Sequence, residues 1–228
     1  MGSYLNPGNL SFRGSLRSKI YIDKSELIAR TNEALCTEQK YICVSRPRRF
    51  GKSMAANMLA AYYDRSEDTT ELFQNLAISK DRSYRENLNQ YDVIKINMQE
   101  FLSATQNIDE MLQMLKKYLI FDLKESYGQV RFRDEENLVQ VMKDIYTATK
   151  HAFVILIDEW DCLFREYKED KEAQRKYLDF LRAWLKDKAY VALAYMTGIL
   201  PIKKYGSHSA LNMFTEYSMT EPGELAAY

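Results

Sequence analysis

Two stretches of this chain carry residue types that act on phosphates. The first runs Tyr41-Ile42-Cys43-Val44-Ser45-Arg46-Pro47-Arg48-Arg49-Phe50, ends in Gly51-Lys52-Ser53, and opens into Met54-Ala55-Ala56-Asn57-Met58-Leu59. An apolar run, a basic turn, then an ammonium and a hydroxyl at the head of a helix form a cradle for a nucleoside triphosphate. Backbone N–H groups and the positive end of the helix dipole face the phosphates. Lys52 is expected on the β and γ oxygens, and the Ser53 hydroxyl is expected to ligate Mg2+. The general pattern G-x-x-x-x-G-K-[ST] has its first glycine where this chain has Arg46, so the match departs there.

The second stretch is His151-Ala152-Phe153-Val154-Ile155-Leu156-Ile157, closing on Asp158-Glu159-Trp160-Asp161. A continuous apolar run of this length reads as a strand buried on both faces, as in parallel sheets. Carboxylates at its C-terminal end lie where such folds bind ligands. Asp158 is expected to hold Mg2+ through its water shell, and Glu159 to polarise an attacking water. Gly51-Lys52-Ser53 alone is also compatible with an ordinary helix start. The acidic strand end downstream turns the pair into a nucleotide site, with residues Arg46, Pro47, Arg48, Arg49, Phe50, Gly51, Lys52, Ser53 and Met54 around the phosphates.

The elements that must position these groups follow from periodicity. Residues 1–18 read as loosely ordered until packed, Ile20-Tyr21-Ile22-Asp23 as a short strand, and Glu26 to Leu35 as a helix capped by Asp23 or Ser25. The phosphate-loop strand spans 40–45 and its helix 52–64. Short helices are expected over 71–76 and 81–90. A strand at 93–98 is the expected neighbour of the phosphate-loop strand. Apolar spacing of three and four (Met111, Leu112, Leu115, Leu119, Leu123) predicts a helix over 109–125, and others follow over 135–150 and 171–188. Tyr190 to Met196 is a further core strand, ending in Thr197-Gly198. Strands alternating with helices imply an α/β fold, a P-loop NTPase three-layer sandwich with a mainly parallel central sheet flanked by helices. The expected division is an N-terminal segment, 1–39, packed on a core of 40–228.

Composition narrows the function. Lys plus Arg and Asp plus Glu each number 32, so the formal charge is zero, which gives nucleic acid no electrostatic support as a partner. No apolar run is long enough to span a bilayer. Cys36, Cys43 and Cys162 lack metal-ligand spacing and read as reduced thiols of a cytoplasmic protein. Tyr62, Tyr63, Tyr177 and Trp184 recur at helical spacing and are assigned to the core. Neither histidine has ligand neighbours at zinc spacing, and His208 is given no catalytic role.

Ser45-Arg46-Pro47-Arg48-Arg49-Phe50-Gly51-Lys52-Ser53 resembles the phosphate loop of the bacterial AAA-ATPase-like family. The resemblance continues in Phe12-Arg13, Tyr21-Ile22-Asp23-Lys24, Ile157-Asp158-Glu159-Trp160-Asp161 and Thr197-Gly198-Ile199-Leu200-Pro201-Ile202-Lys203, and covers essentially the whole chain. The family's own loop also lacks the first glycine. The resemblance implies Lys52 on the phosphates, Ser53 and Asp158 on Mg2+, Glu159 as base and Thr197 as a sensor of the γ-phosphate. It also implies a helical lid and a PD-(D/E)XK nuclease-like domain in longer relatives. Neither is expected here, since little sequence follows Ser218-Met219-Thr220-Glu221-Pro222-Gly223.

Several positions keep two readings. Thr197 senses phosphate or caps the turn at Gly198. Asp23 and Lys24 lie near the adenine or form a helix cap. Arg46, Arg48 and Arg49 grip phosphate oxygens or pair with Glu67-Asp68. Asp161 is a helix N-cap or an ion-pair partner. Lys203 and Lys204 are solvated or touch a neighbouring subunit's nucleotide, which would require self-association. The leading function is Mg-ATP binding with slow hydrolysis that couples nucleotide state to an attached or partner domain. The alternative is a non-hydrolysing nucleotide-binding scaffold. A small-molecule kinase ranks below both, because no arginine-rich lid follows the last strand.

Overall fold

In the computed structural model, which describes residues 2–202, 210–219 and 223–225, five strands form one all-parallel sheet. They are β1 (Tyr41–Ser45), β2 (Asp92–Asn97), β3 (Phe153–Asp158), β4 (Val191–Gly198) and β5 (Thr215–Tyr217), in the order β2-β3-β4-β1-β5. Every residue of β1, β3 and β4 is buried, as expected where helices cover both faces. The helices are α1 (Leu10–Leu16), α2 (Glu26–Ala34), α3 (Lys52–Tyr63), α4 (Thr70–Phe73), α5 (Tyr84–Asn87), α6 (Met98–Ser103), α7 (Ile108–Ser126), α8 (Leu138–Thr149), α9 (Cys162–Glu166) and α10 (Lys171–Leu185).

Alternation along each strand splits the core in two. Ile42, Val44, Val154, Leu156, Leu193 and Tyr195 pack with Phe12, Leu27, Leu59, Tyr62, Tyr63 and Phe73 on one face. Cys43, Ile94, Ile155, Ile157 and Met196 pack with Leu115, Leu119, Met142, Tyr177, Leu181 and Trp184 on the other. The result is a three-layer α/β sandwich. Cys43 and Cys162 are buried, whereas Cys36 is exposed. No helix among the described residues is long and apolar enough to cross a membrane.

Four expectations need correction. β2 does not border β1: β3 and β4 stand between them, and β1 pairs with β4 and β5. Local pattern makes a strand but says nothing of its neighbour. Ile20-Tyr21-Ile22-Asp23 forms no strand. Ile20 and Ile22 are 82% and 67% exposed, and the Asp23 carboxylate takes the N–H groups of Ser25 (2.8 Å) and Ala77 (2.7 Å), which ties the segment to a loop away from the sheet. Within residues 2–18 stands a helix the sequence did not announce, because α1 is anchored by the fully buried Phe12, stacked on Phe73 with ring centroids 5.1 Å apart. α8 begins at Leu138, three residues late, because the Asn137 side chain accepts the Gln140 N–H and so fixes the start there.

The edge of the sheet at β2 is covered by residues 4–6. Leu5 bridges Ile94 in antiparallel fashion, and Asn6 N–H donates to the Val93 carbonyl at 2.7 Å. Lys95 N–H donates to the Tyr4 carbonyl at 2.9 Å, and Val93 N–H donates to Asn6 Oδ1 at 2.7 Å. Asp122 on α7 secures this segment by accepting the N–H groups of Tyr4 and Leu5.

Candidate functional site

β1 delivers the chain from the buried sheet to the loop 46–50, and α3 carries it away. Two left-handed residues shape the turn, Arg49 (φ 69°) and Gly51 (φ 81°). Gly51 immediately precedes α3, where an L side chain would be strained at that φ. The head of α3 therefore presents its first-turn N–H groups to the loop. Lys52 is buried, and its ammonium donates to the carbonyls of Arg46 (3.0 Å) and Pro47 (2.9 Å). Burial lowers its pKa, while the charges of Glu159, Asp158 and Asp161 act in the opposite sense.

The strand order explains the next group. Because β4 lies between β1 and β3, Thr197 near its end sits opposite Val44 of β1 and one position beyond the Ile157–Met196 pair of β3. Thr197 Oγ1 donates to Asp158 Oδ1, and Ser53 Oγ donates to Asp158 Oδ2. The Glu159 N–H also reaches Asp158 Oδ1, at 3.0 Å. One buried carboxylate thus joins β3, β4 and α3. A carboxylate beside a hydroxyl is a hard oxygen donor set of the kind that holds Mg2+ together with substrate phosphates and waters. Among the described residues, no cluster of three or more His, Cys, Asp or Glu forms a protein-only metal cage.

Glu159 stands just past the end of β3 with φ 55°, an uncommon conformation for a non-glycine residue. Its carboxylate is paired with Arg165 of α9. Trp160 and Asp161 then turn the chain under β4: Trp160 N–H donates to the Thr197 carbonyl (3.1 Å), and the Tyr177 hydroxyl donates to the Trp160 carbonyl (2.7 Å). Asp161 precedes α9 without capping it through its side chain. Its Oδ2 instead accepts the N–H groups of Ile199 (3.0 Å) and Leu200 (2.8 Å).

Beside the loop lies a mainly apolar cavity of about 360 Å³, walled by Ile20, Ile22, Phe50, Met54, Ala55 and Met58, with Tyr21, Lys24, Arg49 and Gly51 at its polar margins. Burial, with help from Asp23, pushes the Tyr21 phenol up to about 12, so it remains a neutral donor at ordinary pH. The volume and lining suit a flat heterocycle.

Lys52, Ser53, Asp158, Glu159 and Thr197 converge from distant parts of the sequence, and the Thr197 hydroxyl binds Asp158 rather than capping the turn at Gly198. Pro47 contributes a carbonyl, and Arg49, Phe50 and Met54 line the cavity. Arg48 is exposed. The Arg46 guanidinium is engaged by backbone, donating to the carbonyls of Ser45, Tyr217 and Leu225. Glu67 accepts from Asn9 and Asp68 from Thr70. Asp23 serves backbone N–H groups, and Lys24 borders the cavity. Lys203, Lys204 and His208 lie outside the described residues. Sequence reasoning missed Arg165 and the apolar role of Ile20 and Ile22. The only signal for Arg165 was its position four residues after Asp161, on the same side of a short helix.

A search of curated proteins finds no match. A family model described as Predicted AAA-ATPase matches residues 13–207, a span that contains the loop 46–50 with the head of α3, the acidic end of β3 and the end of β4. The chain belongs to this AAA-ATPase-like family.

Proposed function

We propose that the protein binds Mg-ATP at the loop between β1 and α3 and hydrolyses it slowly, passing nucleotide state to an attached or partner domain. The observation that carries this is the convergence of Ser53 and Thr197 on the buried Asp158, with the Lys52 ammonium at the adjoining loop. Adenine and ribose would occupy the apolar cavity beside Phe50 and Met54. Lys52 would exchange the carbonyls of Arg46 and Pro47 for β and γ oxygens, so binding and loop geometry are coupled. Ser53 and Asp158 would hold Mg2+, which, when bound, neutralises charge on the phosphates.

Glu159 accepts a proton from water as the water oxygen bonds to the γ-phosphorus, while the bond from that phosphorus to the β–γ bridging oxygen breaks and ADP leaves. General-base assistance of this kind supplies about 10²–10⁴ in rate. Thr197 holds Asp158 in place. A non-hydrolysing scaffold is the second reading, favoured by the pairing of Glu159 with Arg165. Thermal-shift and phosphate-release assays with Mg-ATP test both. Lys52→Ala is expected to abolish ATP-dependent stabilisation. Glu159→Gln should retain stabilisation and lower turnover at least 100-fold. Parent protein that is stabilised by ATP but never releases phosphate would support the scaffold.

A further inference from the structure

Arg165 stands between two carboxylates and completes its contacts with only one. Its Nη2 pairs with Glu159 Oε2. On the other side its Nε approaches Asp161 Oδ2 at 3.5 Å, an ion pair without hydrogen-bond geometry, and this buried Nε has no hydrogen-bond partner among the described residues. Asp161 is fully buried, and its Oδ1 is likewise unpartnered while Oδ2 serves Ile199 and Leu200. Buried polar groups left open are costly, and a shift of Arg165 onto Asp161 would reduce that cost; the buried Trp160 Nε1, also open, lies with Asp161 Oδ1 beside Gly198.

We propose that Arg165 is a two-position positioning residue for Glu159. In the position observed it draws the Glu159 carboxylate onto α9. In the second it closes on Asp161, filling Nε and Oδ1 together and releasing Glu159 to meet water at the γ-phosphate. Gln99, at the head of α6, marks the first position, since its Oε1 lies 3.5 Å from Arg165 Nη2 and its Nε2 donates to Glu166 at 2.6 Å. Glu159 itself lies just past the end of β3 in a left-handed backbone conformation (φ 55°). The exchange also reaches β4. Asp161 holds the backbone of residues 199 and 200, so charge arriving on Asp161 is felt where the chain leaves the sheet.

This inference rests on the proposed ATPase reading, and the two are separable by experiment. Arg165→Met keeps the aliphatic stem and removes the restraint on Glu159, so phosphate release should rise at least threefold with ATP-dependent stabilisation unchanged. Asp161→Asn keeps an oxygen for the Ile199 and Leu200 N–H groups but weakens the second seat, so release should fall at least threefold at unchanged ATP affinity. The double variant should match Arg165→Met, because without Arg165 the seat is irrelevant.

A purely structural role would lower turnover in both single variants, and that result overturns the inference. ATP binding without turnover in either the parent or Arg165→Met overturns it as well. Absence of ATP-dependent stabilisation in the parent overturns the ATPase reading itself. Should Arg165→Met fail to fold, Arg165→Gln takes its place: faster release at unchanged ATP-dependent stabilisation supports the exchange, and slower or unchanged release overturns it.

Discussion

Gly198 ends β4 in a space that admits no side chain. A Cβ there would stand 2.6 Å from Trp160 Nε1 and 2.8 Å from Asp161 Oδ1, and both residues are fully buried. Neither neighbour is the loose end of a flexible chain, since Asp161 is held by two backbone N–H groups. Gly198→Ala should therefore cost roughly 1–3 kcal/mol through overpacking. A melting curve should read this as a drop of about 5 °C. The same substitution would disturb Asp161, so phosphate release should fall more than ATP-dependent stabilisation does. At this scale the sequence was most informative where few residue types suit a given chemistry: Lys52, Ser53, Asp158 and Glu159 stood out on that ground, and the fold brings them together. It was least informative for arginines. A guanidinium suits a phosphate, a carboxylate or a row of carbonyls alike, and only the folded chain assigns Arg46 to carbonyls and Arg165 to Glu159.

Among the elements, α1 shows how tertiary contact overrides local preference. Its sequence holds Gly14 and two serines, and an interior glycine alone costs about 1 kcal/mol relative to alanine. Burial of Phe12 against Phe73 and Tyr21 contributes about 2 kcal/mol and tips the balance toward the helix. β1 and β3 were legible as unbroken apolar runs. β5 was not, since three residues with exposed or half-exposed side chains carry no period. What places β5 is Arg46, whose guanidinium bonds to the carbonyls of Tyr217 and Leu225, together with Ser45, whose hydroxyl donates to Glu216 at 2.9 Å. Arg46→Ala should destabilise the protein by about 3 kcal/mol, as expected when charge-assisted bonds are lost from a buried site. It should also speed proteolytic cleavage between residues 215 and 225 severalfold. Arg46→Lys should recover only part of the loss, because an ammonium does not span both carbonyls in a fixed plane.

For the molecule as a whole, the parallel arrangement brings the C-terminal ends of β1, β3 and β4 to one rim, and all five converging site residues lie at or just beyond that rim. The strand order could not be read from sequence, yet it decides the geometry: inserting β4 between β1 and β3 carries Thr197 to Asp158. The opposite end of the strands carries structural polar groups instead. Asp92 there accepts from Asn6, Arg65 and Tyr127, a buried knot remote from the rim.

The strap of residues 4–6 along β2 has a consequence for colloidal behaviour. A parallel sheet that ends in an open row of backbone donors and acceptors is a template for another chain. Here both backbone groups of Val93 and the N–H of Lys95 are taken by Asn6 and Tyr4, so that stretch of the edge offers little to copy. Removing residues 2–8 would bare it without touching the rim. The shortened protein should then show light scattering that grows with concentration, while the intact chain stays clear. The first few residues thus serve as a selvedge, the finished border that keeps a woven sheet from fraying into its neighbours.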